Sequence, residues 1–233
     1  MLVVGCKGLG SGDEDVESVK KYDKVWTKEN NSENDYLRFF DQFGTSKKVK
    51  TATVELKVGN AQNSKAGLVF SLNENDNGTV SFYVLGVGAN YQTGTPEYYL
   101  DYYAALDPTA LSQTTTGPQI GEATPKEVKK LGTLQNVSVA DDGSMTVFVK
   151  IDVTNPDAIS VKLGPEVDNL GTSITTFAHK TYNPTAADAL GGIGAYGMLR
   201  PSSTAGQIVK TVNNYTVIES DPNRTLLAAE DAE

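Results

Sequence analysis

Hydrophobic and polar residues alternate with a period of two along several short segments of the chain. The clearest segment is Thr51–Val58 (TATVELKV), in which Ala52, Val54, Leu56 and Val58 share one side. Alternation of this kind predicts a half-buried β-strand with one face in water. No segment longer than about ten residues shows sustained helical spacing of apolar residues together with capping residues. The pattern therefore predicts an all-β protein.

The segment Ala66–Ala104 contains three runs rich in β-branched and aromatic residues. The runs Ala66–Leu72 and Thr79–Val87 flank Asn73–Gly78 (NENDNG), which has loop composition and predicts a hairpin between them. A third run, Glu97–Ala104, contains four tyrosines. These runs predict three further strands.

The second half of the chain contains another turn signal, Asp141-Asp142-Gly143, between the runs 131–140 and 144–153. An Asp-Gly pair between alternating runs predicts a β-hairpin. Further strands are predicted at Tyr36–Phe40, Ala158–Leu163, Ile174–His179, Gly191–Leu199 and Ile208–Glu219. About a dozen short strands separated by turns favour two packed antiparallel sheets, a β-sandwich.

Two segments do not follow this pattern. Asp107–Lys130 is rich in Thr, Pro and Gly and lacks alternation, so it is a candidate functional loop or insertion. Lys7–Ser18 is rich in Gly, Ser and acidic residues and is predicted to be a flexible tether. We expect residues 1–18 to form the start and tether, residues 19–219 a single β-sandwich domain, and residues 220–233 a polar tail.

Composition narrows the classes of function. The chain has 233 residues, 39% of them hydrophobic, and a formal net charge of −9. This acidic balance argues against a nucleic-acid partner, because phosphate binding needs clustered Lys and Arg. With one cysteine and one histidine, the chain cannot form an internal disulfide, a cysteine-rich zinc site or a histidine-rich metal site.

The segment Leu2–Cys6 (LVVGC) resembles the lipobox of bacterial lipoproteins, in which a small residue precedes the lipid-bearing cysteine. An export signal also needs a charged start and a longer apolar stretch, whereas five residues precede Cys6 here. Either the natural start lies upstream or the match is a coincidence and Cys6 is idle or buried. The resemblance implies an exported cell-envelope protein, in the periplasm or at the cell surface, that touches the membrane only through a lipid on Cys6.

The order of the strand motifs resembles the concanavalin A-like and laminin-G-like jelly rolls, in particular the bacterial keto-disaccharide hydrolase type. The resemblance covers about residues 22–219 and rests on diffuse strand motifs, including Ala66–Phe70 (AGLVF), Gly191–Tyr196 (GGIGAY) and Asn213–Val217 (NNYTV). Ser71 stands where this type often has Arg, and Asn213 stands where it has Asp. The resemblance implies a sandwich of two antiparallel sheets and a relation to extracellular sugar binding.

The tyrosine-rich run contains the candidate ligand-binding residues. Alternation places Tyr99, Asp101 and Tyr103 on one face of the strand and Leu100, the expected core residue, on the other. Aromatic rings beside a carboxylate can recognise a sugar, because rings pack on C–H groups while the carboxylate accepts hydroxyl hydrogen bonds. The alternative is cross-strand packing of the tyrosines with no ligand.

The Asn73–Gly78 loop is the weak candidate for a metal site. Its residues Asn73, Asn75 and Asp76 supply oxygen atoms in a rhythm that resembles a calcium loop. The twelfth position, where such a loop needs an acidic ligand, is Val84. The first interpretation is therefore a hairpin turn with no cofactor, and the alternative is a bound calcium ion.

These patterns lead to one functional hypothesis and two alternatives. We expect a non-catalytic cell-envelope lipoprotein whose β-sandwich binds a carbohydrate or another surface ligand. The alternatives are a glycan-processing enzyme of the keto-disaccharide hydrolase type and a structural or adhesive protein with a protein partner. The acidic run Glu14–Glu17 is interpreted as a solvated spacer, and the single histidine, His179, as a surface or strand-end residue.

Overall fold

The computed structural model describes residues 17–20, 26–30, 37–42, 49–106, 115–116, 126–183, 189–200, 203–210 and 215–218. Cys6, most of the predicted tether, the segments 107–114 and 117–125, and the tail from residue 220 lie outside the described residues. The lipid site and the division into tether, domain and tail therefore stay predictions. The first described strand begins at Glu17, within the last two residues assigned to the tether.

The described residues form fifteen β-strands and one short 3-10 helix, His179–Thr181. The strands are β1 (Glu17–Lys20), β2 (Trp26–Asn30), β3 (Leu37–Gln42), β4 (Thr51–Val58), β5 (Ser64–Glu74), β6 (Val80–Ala89), β7 (Pro96–Leu106), β8 (Thr115–Thr116), β9 (Lys126–Thr133), β10 (Met145–Asp152), β11 (Ile159–Gly164), β12 (Thr172–Phe177), β13 (Gly192–Leu199), β14 (Ser203–Lys210) and β15 (Tyr215–Ile218). In this part of the chain, no helix is long and apolar enough to cross a membrane.

The strands form two main antiparallel sheets. One has four strands in the order β12-β11-β10-β4, and the other has seven in the order β8-β3-β13-β5-β6-β7-β9. Two smaller pairs, β1-β15 and β2-β14, complete the described strands. The chain crosses between the main sheets after β3, β4, β9 and β12, so strands distant in sequence become neighbours, a jelly-roll pattern. The predicted all-β, two-sheet antiparallel sandwich is confirmed.

The core lies between the two main sheets. The alternation predicted for β4 is confirmed, because every second residue from Ala52 to Val58 is buried. These residues belong to one hydrophobic cluster with Leu68 of β5, Leu85 of β6 and Leu100 of β7. The seven-stranded sheet is also covered on its second face, since all ten residues of its interior strand β6 are buried. The sandwich therefore contains a second apolar cluster, built on Val69, Phe82, Val84 and Tyr196.

The hairpin predicted at Asp141-Asp142-Gly143 is wrong. The turn is present: Gly143 has a φ of 81° and the Ala140 N–H donates to the Ser144 carbonyl over 2.8 Å. However, β9 pairs with β7 and β10 pairs with β4 and β11, so the flanking strands belong to different sheets. Turn residues set a local reversal, whereas the burial of each strand's apolar face selects its partner.

Two segments predicted to lack strands contain them. Lys126–Lys130, assigned to the long loop, belongs to the edge strand β9, and Thr115–Thr116 forms the short strand β8. Strand β2 continues after Trp26 through the polar residues Thr27–Asn30. Strands β9, β8 and β2 pair with β7, β3 and β14, respectively. This pairing satisfies their backbone N–H and C=O groups, so they form strands although their own sequences lack apolar alternation.

Candidate functional site

The faces of the tyrosine-rich strand β7 are as predicted. Tyr98, Leu100 and Tyr102 belong to the core between the sheets. Tyr99, Asp101 and Tyr103 lie on the opposite face, where Asp101 pairs with Val84 of β6. Because side-chain direction in a strand alternates strictly, the sequence was sufficient to assign these faces.

The expectation that this opposite face is open to solvent is wrong for two of its three residues. Asp101 is 5% exposed and Tyr103 is 4% exposed. The Tyr103 ring stacks on Phe82 with centroids 5.3 Å apart and belongs to the second apolar cluster. Tyr99 is half-buried. The assignment of Tyr99, Asp101 and Tyr103 to ligand binding stays a prediction, and Tyr99 is the one of the three with a substantial exposed surface.

Tyr99 lies beside two glycines in the register of the sheet. In the register of the sheet, Tyr196, Gly67, Gly86 and Tyr99 stand side by side on four adjacent strands. A Cβ at Gly86 would overlap the Tyr99 ring, and the Tyr99 and Tyr196 rings meet edge to face at 6.5 Å. The glycines thus leave the space in which the two rings approach each other.

Burial raises the pKa of the Tyr99 hydroxyl well above its usual range, and the neighbouring Tyr196 raises it further. Tyr99 therefore stays protonated and neutral at any physiological pH. Its ring face holds a cation, because the Lys65 Nζ atom lies 5.2 Å from the ring centroid.

A polar pocket opens beside Lys65, at one end of the seven-stranded sheet. It has a volume of about 360 Å³, within the range of roughly 300–1,000 Å³ typical of small-molecule sites. Its lining combines amides, charged groups and an aromatic ring: Gln62, Asn63, Asn90, Gln92, Lys65, Glu97, Arg200 and Tyr91, with Ser64, Ala89 and Met198. We call it the strand-end pocket.

Backbone pairing brings the walls of the strand-end pocket together. The Ala89 N–H donates to the Ala61 carbonyl over 2.6 Å, which joins the end of β6 to the loop before β5. The Arg200 N–H donates to the Asn63 carbonyl over 2.9 Å, which joins the end of β13 to the same loop. Because these bonds are between backbone groups, the pocket is pre-formed by the fold.

An ion pair forms the floor of the pocket. The Lys65 Nζ atom lies 2.8 Å from the Glu97 Oε1 atom, and the two side chains are 17% and 22% exposed. Gly88 stands between them in the sheet register, and its missing side chain lets Lys65 cross β6 to reach Glu97. The Asn90 Nδ2 atom donates to the second Glu97 carboxylate oxygen over 3.3 Å. Lys65 therefore joins the pocket to the Tyr99 ring.

Tyr91 and Arg200 form the exposed rim. Tyr91 is 58% exposed, and the central guanidinium carbon of Arg200 lies 4.1 Å from its ring centroid. The turn that carries Tyr91 is closed by Asn90, whose side-chain oxygen accepts hydrogen bonds from the Gln92 and Thr93 N–H groups at 3.0 and 3.1 Å. An ordered turn holds the ring at the rim, which lowers the entropy cost of using it for binding.

Sequence reasoning did not single out the pocket residues. The one local signal was Tyr91, an aromatic residue inside the turn-forming stretch Asn90–Gly94 (NYQTG). Lys65 lies on β5, Glu97 on β7 and Arg200 just after the end of β13, and their proximity follows from the strand order β13-β5-β6-β7.

Asn75 and Asp76 belong to the hairpin turn that the first interpretation predicted, whereas Asn73 lies in β5 just before it. Strands β5 and β6 pair up to Glu74 and Val80, and the turn between them contains Gly78 with a φ of 77°. The Asn75 Nδ2 atom donates to Thr79 Oγ1 at 2.9 Å and to Ser81 Oγ at 3.0 Å. Asn73 donates to the Ser71 carbonyl at 3.1 Å, and Asp76 is exposed.

Among the described residues, no group of three or more His, Cys, Asp and Glu could hold a metal ion. The assignment of calcium to Asn73, Asn75 and Asp76 stays a prediction.

His179 was expected to be a surface or strand-end residue; it lies just after the end of β12, but it is not at the surface. It is 1% exposed and lies in the 3-10 helix just after β12, turned into the core. Its Nδ1 atom is 2.8 Å from the Tyr83 hydroxyl, and its ring meets the ring of Tyr102 edge to face at 6.1 Å. The histidine therefore contributes to packing between the sheets.

Comparison with known proteins gives structural likenesses only. No protein-family model matches the chain, and no curated protein matches it in sequence. A Bacillus subtilis protein of unknown function with a galectin-like fold superposes with a TM-score of 0.49 at 9% identity, over 87% of this chain and 89% of that one. The Bacillus licheniformis β-glucanase superposes with a TM-score of 0.40 at 10% identity, over 90% and 95% of the two chains.

The CBM40 domain of the Ruminococcus gnavus IT-sialidase superposes with a TM-score of 0.34 at 9% identity, over 85% of this chain and 94% of that one. At TM-scores below 0.5, these likenesses carry no information about what this chain binds. The function of this chain is therefore inferred from its own residues.

Proposed function

We propose that this protein is a non-catalytic carbohydrate-binding protein and that the strand-end pocket is its ligand site. The observation that carries the proposal is the exposed Tyr91 ring at the mouth of a pre-formed pocket lined by amide and charged side chains. A sugar ring has C–H faces that pack on an aromatic ring and hydroxyl groups that need donors and acceptors around its edge. The pocket supplies both kinds of contact.

The composition of the pocket favours binding over hydrolysis. A glycoside hydrolase of the usual kind needs two carboxyl groups on either side of the scissile bond. Among the described residues that line this pocket, Glu97 is the single carboxylate, and it is engaged by Lys65 and Asn90. The alternative, a glycan-processing enzyme of the keto-disaccharide hydrolase type, would need a second carboxylate from another part of the chain.

The predicted contact residue Tyr99 adjoins this pocket through Lys65, whose ammonium group contacts both the Tyr99 ring and Glu97. We include Tyr99 as a supporting residue, because loss of its ring would free Lys65 to move within the pocket. The buried residues Asp101 and Tyr103 would act only through Tyr99 and the second apolar cluster.

The first test is binding of the full chain to a glycan array, followed by calorimetry with the strongest ligand. We expect Tyr91→Ala to weaken binding about fivefold or more, because stacking on an aromatic ring contributes on the order of 1 kcal/mol. Val167→Ala is the control, since Val167 is 50% exposed and does not line the pocket. Absence of any glycan ligand would overturn the proposed function, and unchanged affinity in Tyr91→Ala would remove the pocket from it.

We also propose that the protein is exported and anchored to the cell envelope by a lipid on Cys6. The support is the Leu2–Cys6 pattern followed by an acidic Gly/Ser-rich stretch. Mass spectrometry of the native protein should find a lipid-modified cysteine at its amino terminus. A native product that begins with unmodified Met1 would refute the anchor without affecting the sugar-binding proposal.

A further inference from the structure

The chain contains one Asn-Gly pair, Asn77-Gly78, and it lies in the turn between β5 and β6. Both residues are exposed, and a Cβ placed on Gly78 would meet no atom within 4 Å. This turn is at the opposite end of β5 from the strand-end pocket, so its chemistry is separate from the proposed ligand site. Because glycine has no side chain, the Gly78 backbone nitrogen is open to a neighbouring electrophile.

The neighbouring electrophile is the side-chain amide of Asn77. Its Oδ1 atom accepts hydrogen bonds from the Thr79 N–H at 3.1 Å and from the Thr79 hydroxyl at 2.6 Å. The ring that the first of these bonds closes contains the peptide group between Asn77 and Gly78, so the side chain is folded over that peptide. The Asn77 Cγ atom is thereby held close to the Gly78 nitrogen, and a bond between them would complete a five-membered ring.

The two donors on Asn77 Oδ1 resemble an oxyanion hole. When a nucleophile adds to Cγ, negative charge develops on Oδ1, and donors already directed at that oxygen stabilise the charge. The Asn75 Nδ2 atom donates to Thr79 Oγ1 at 2.9 Å. Because hydrogen bonds in a chain polarise one another, this contact makes the Thr79 hydroxyl a stronger donor. The turn therefore activates the Asn77 amide toward its own backbone.

We propose that Asn77 is a site of spontaneous modification to aspartate and isoaspartate, with the Thr79 hydroxyl as the oxyanion donor. Solvent hydroxide takes the Gly78 amide proton, which now lies in a 2.9 Å bond to the Asn75 carbonyl. The Gly78 nitrogen then bonds to Asn77 Cγ, and the Cγ–Nδ2 bond breaks as ammonia leaves with a proton from water. Water adds to either carbonyl of the resulting succinimide ring and opens it.

The modification changes both the charge and the turn. The new carboxylate adds one negative charge to a chain whose net charge is −9. Isoaspartate also places an extra carbon in the main chain at position 77, which displaces the Thr79 N–H from its acceptor. The β5–β6 hairpin is therefore altered by a reaction that needs water and no enzyme.

The test is peptide mapping by mass spectrometry of the full chain during incubation at mildly alkaline pH. We expect aspartate and isoaspartate to accumulate at position 77 before any other asparagine reacts. Thr79→Val should slow this reaction about threefold or more, a smaller effect than in a closed active site because water replaces the lost donor in an exposed turn. Thr79→Ser, which keeps the hydroxyl, should react at close to the wild-type rate.

Asn90 and Asn155 are internal controls, because their side-chain oxygens also accept backbone N–H groups. They are followed by Tyr91 and Pro156 instead of glycine. The Tyr91 side chain hinders its own backbone nitrogen, and Pro156 has no N–H to lose. Both asparagines should stay unmodified while Asn77 reacts.

Two results would contradict the inference. More product at Asn90 or Asn155 than at Asn77 overturns the assignment of the site. An unchanged or faster rate in Thr79→Val overturns the role of the Thr79 hydroxyl. Neither measurement uses a glycan, so the outcome is independent of the proposed sugar-binding function.

Discussion

Replacement of Tyr83 by alanine is expected to lower the free energy of unfolding by about 3–5 kcal/mol, the range for aromatic truncation in a core. Tyr83 is fully buried on the interior strand β6. Its ring lies 5.1 Å from that of Phe70 on the same sheet and 5.3 Å from that of Phe177 on the opposing sheet. The truncation would therefore open a cavity between the two sheets. The loss of stability is measured as a lower urea midpoint of unfolding.

A second substitution distinguishes the contribution of the Tyr83 ring to stability from that of its hydroxyl group. Tyr83→Phe keeps the packing and removes the 2.8 Å contact with His179 Nδ1, so we expect a smaller loss of roughly 1–3 kcal/mol, the cost of a buried polar atom deprived of a partner. Val167→Ala, at a position 50% exposed, should change stability little. A loss below about 1 kcal/mol in Tyr83→Ala would contradict the role of this ring as the link between the sheets.

Introduction of a side chain at Gly67 is expected to be comparably damaging. A Cβ at this position would overlap the Leu85 carbonyl oxygen, which belongs to the backbone of the neighbouring strand β6. Since β6 is paired on both sides and buried on both faces, it cannot move away locally. We expect Gly67→Ala to cost about 3 kcal/mol or more, at the upper end of overpacking effects.

Gly86→Ala provides the comparison, because its Cβ would meet the Tyr99 side chain instead of backbone. In a Tyr99→Ala background, Gly86→Ala should therefore cost much less than in the wild-type chain, whereas Gly67→Ala should cost the same in both. For each glycine, the unfolding midpoints of the wild type, the two single variants and the double variant form a double-mutant cycle that measures this coupling. Rescue of Gly67→Ala by Tyr99→Ala would contradict the backbone overlap.

The sandwich and the faces of its strands were predictable because they depend on local periodicity. The alternation in Thr51–Val58 identified the buried side of β4, and the position of Leu100 separated Tyr98 and Tyr102 from Tyr99 and Tyr103. The Asn73–Gly78 turn was predictable for a similar reason, since its residues close the hairpin through their own side chains. Such features need only a few consecutive residues.

Strand partners and solvent exposure were not predictable in this way. The Asp-Gly turn at 142–143 reverses the chain, yet β9 and β10 join different sheets because each buries its apolar face elsewhere. The face that holds Asp101 and Tyr103 resembled an open binding surface, but it is covered and contains a second apolar cluster. Alternation shows that two faces differ, and it cannot show whether a second layer covers one of them.

The sequence by itself determined the fold class, the inner faces of the strands and the hairpin at Asn73–Gly78. Tertiary structure alone decided that His179 is buried against Tyr83, and that Lys65, Glu97 and Arg200 surround one pocket beside Tyr91. The physical reason is distance along the chain. Periodicity and turn chemistry act over a few residues, whereas the pocket depends on antiparallel pairing of β13, β5, β6 and β7, which places residues far apart in sequence at the same end of the sheet.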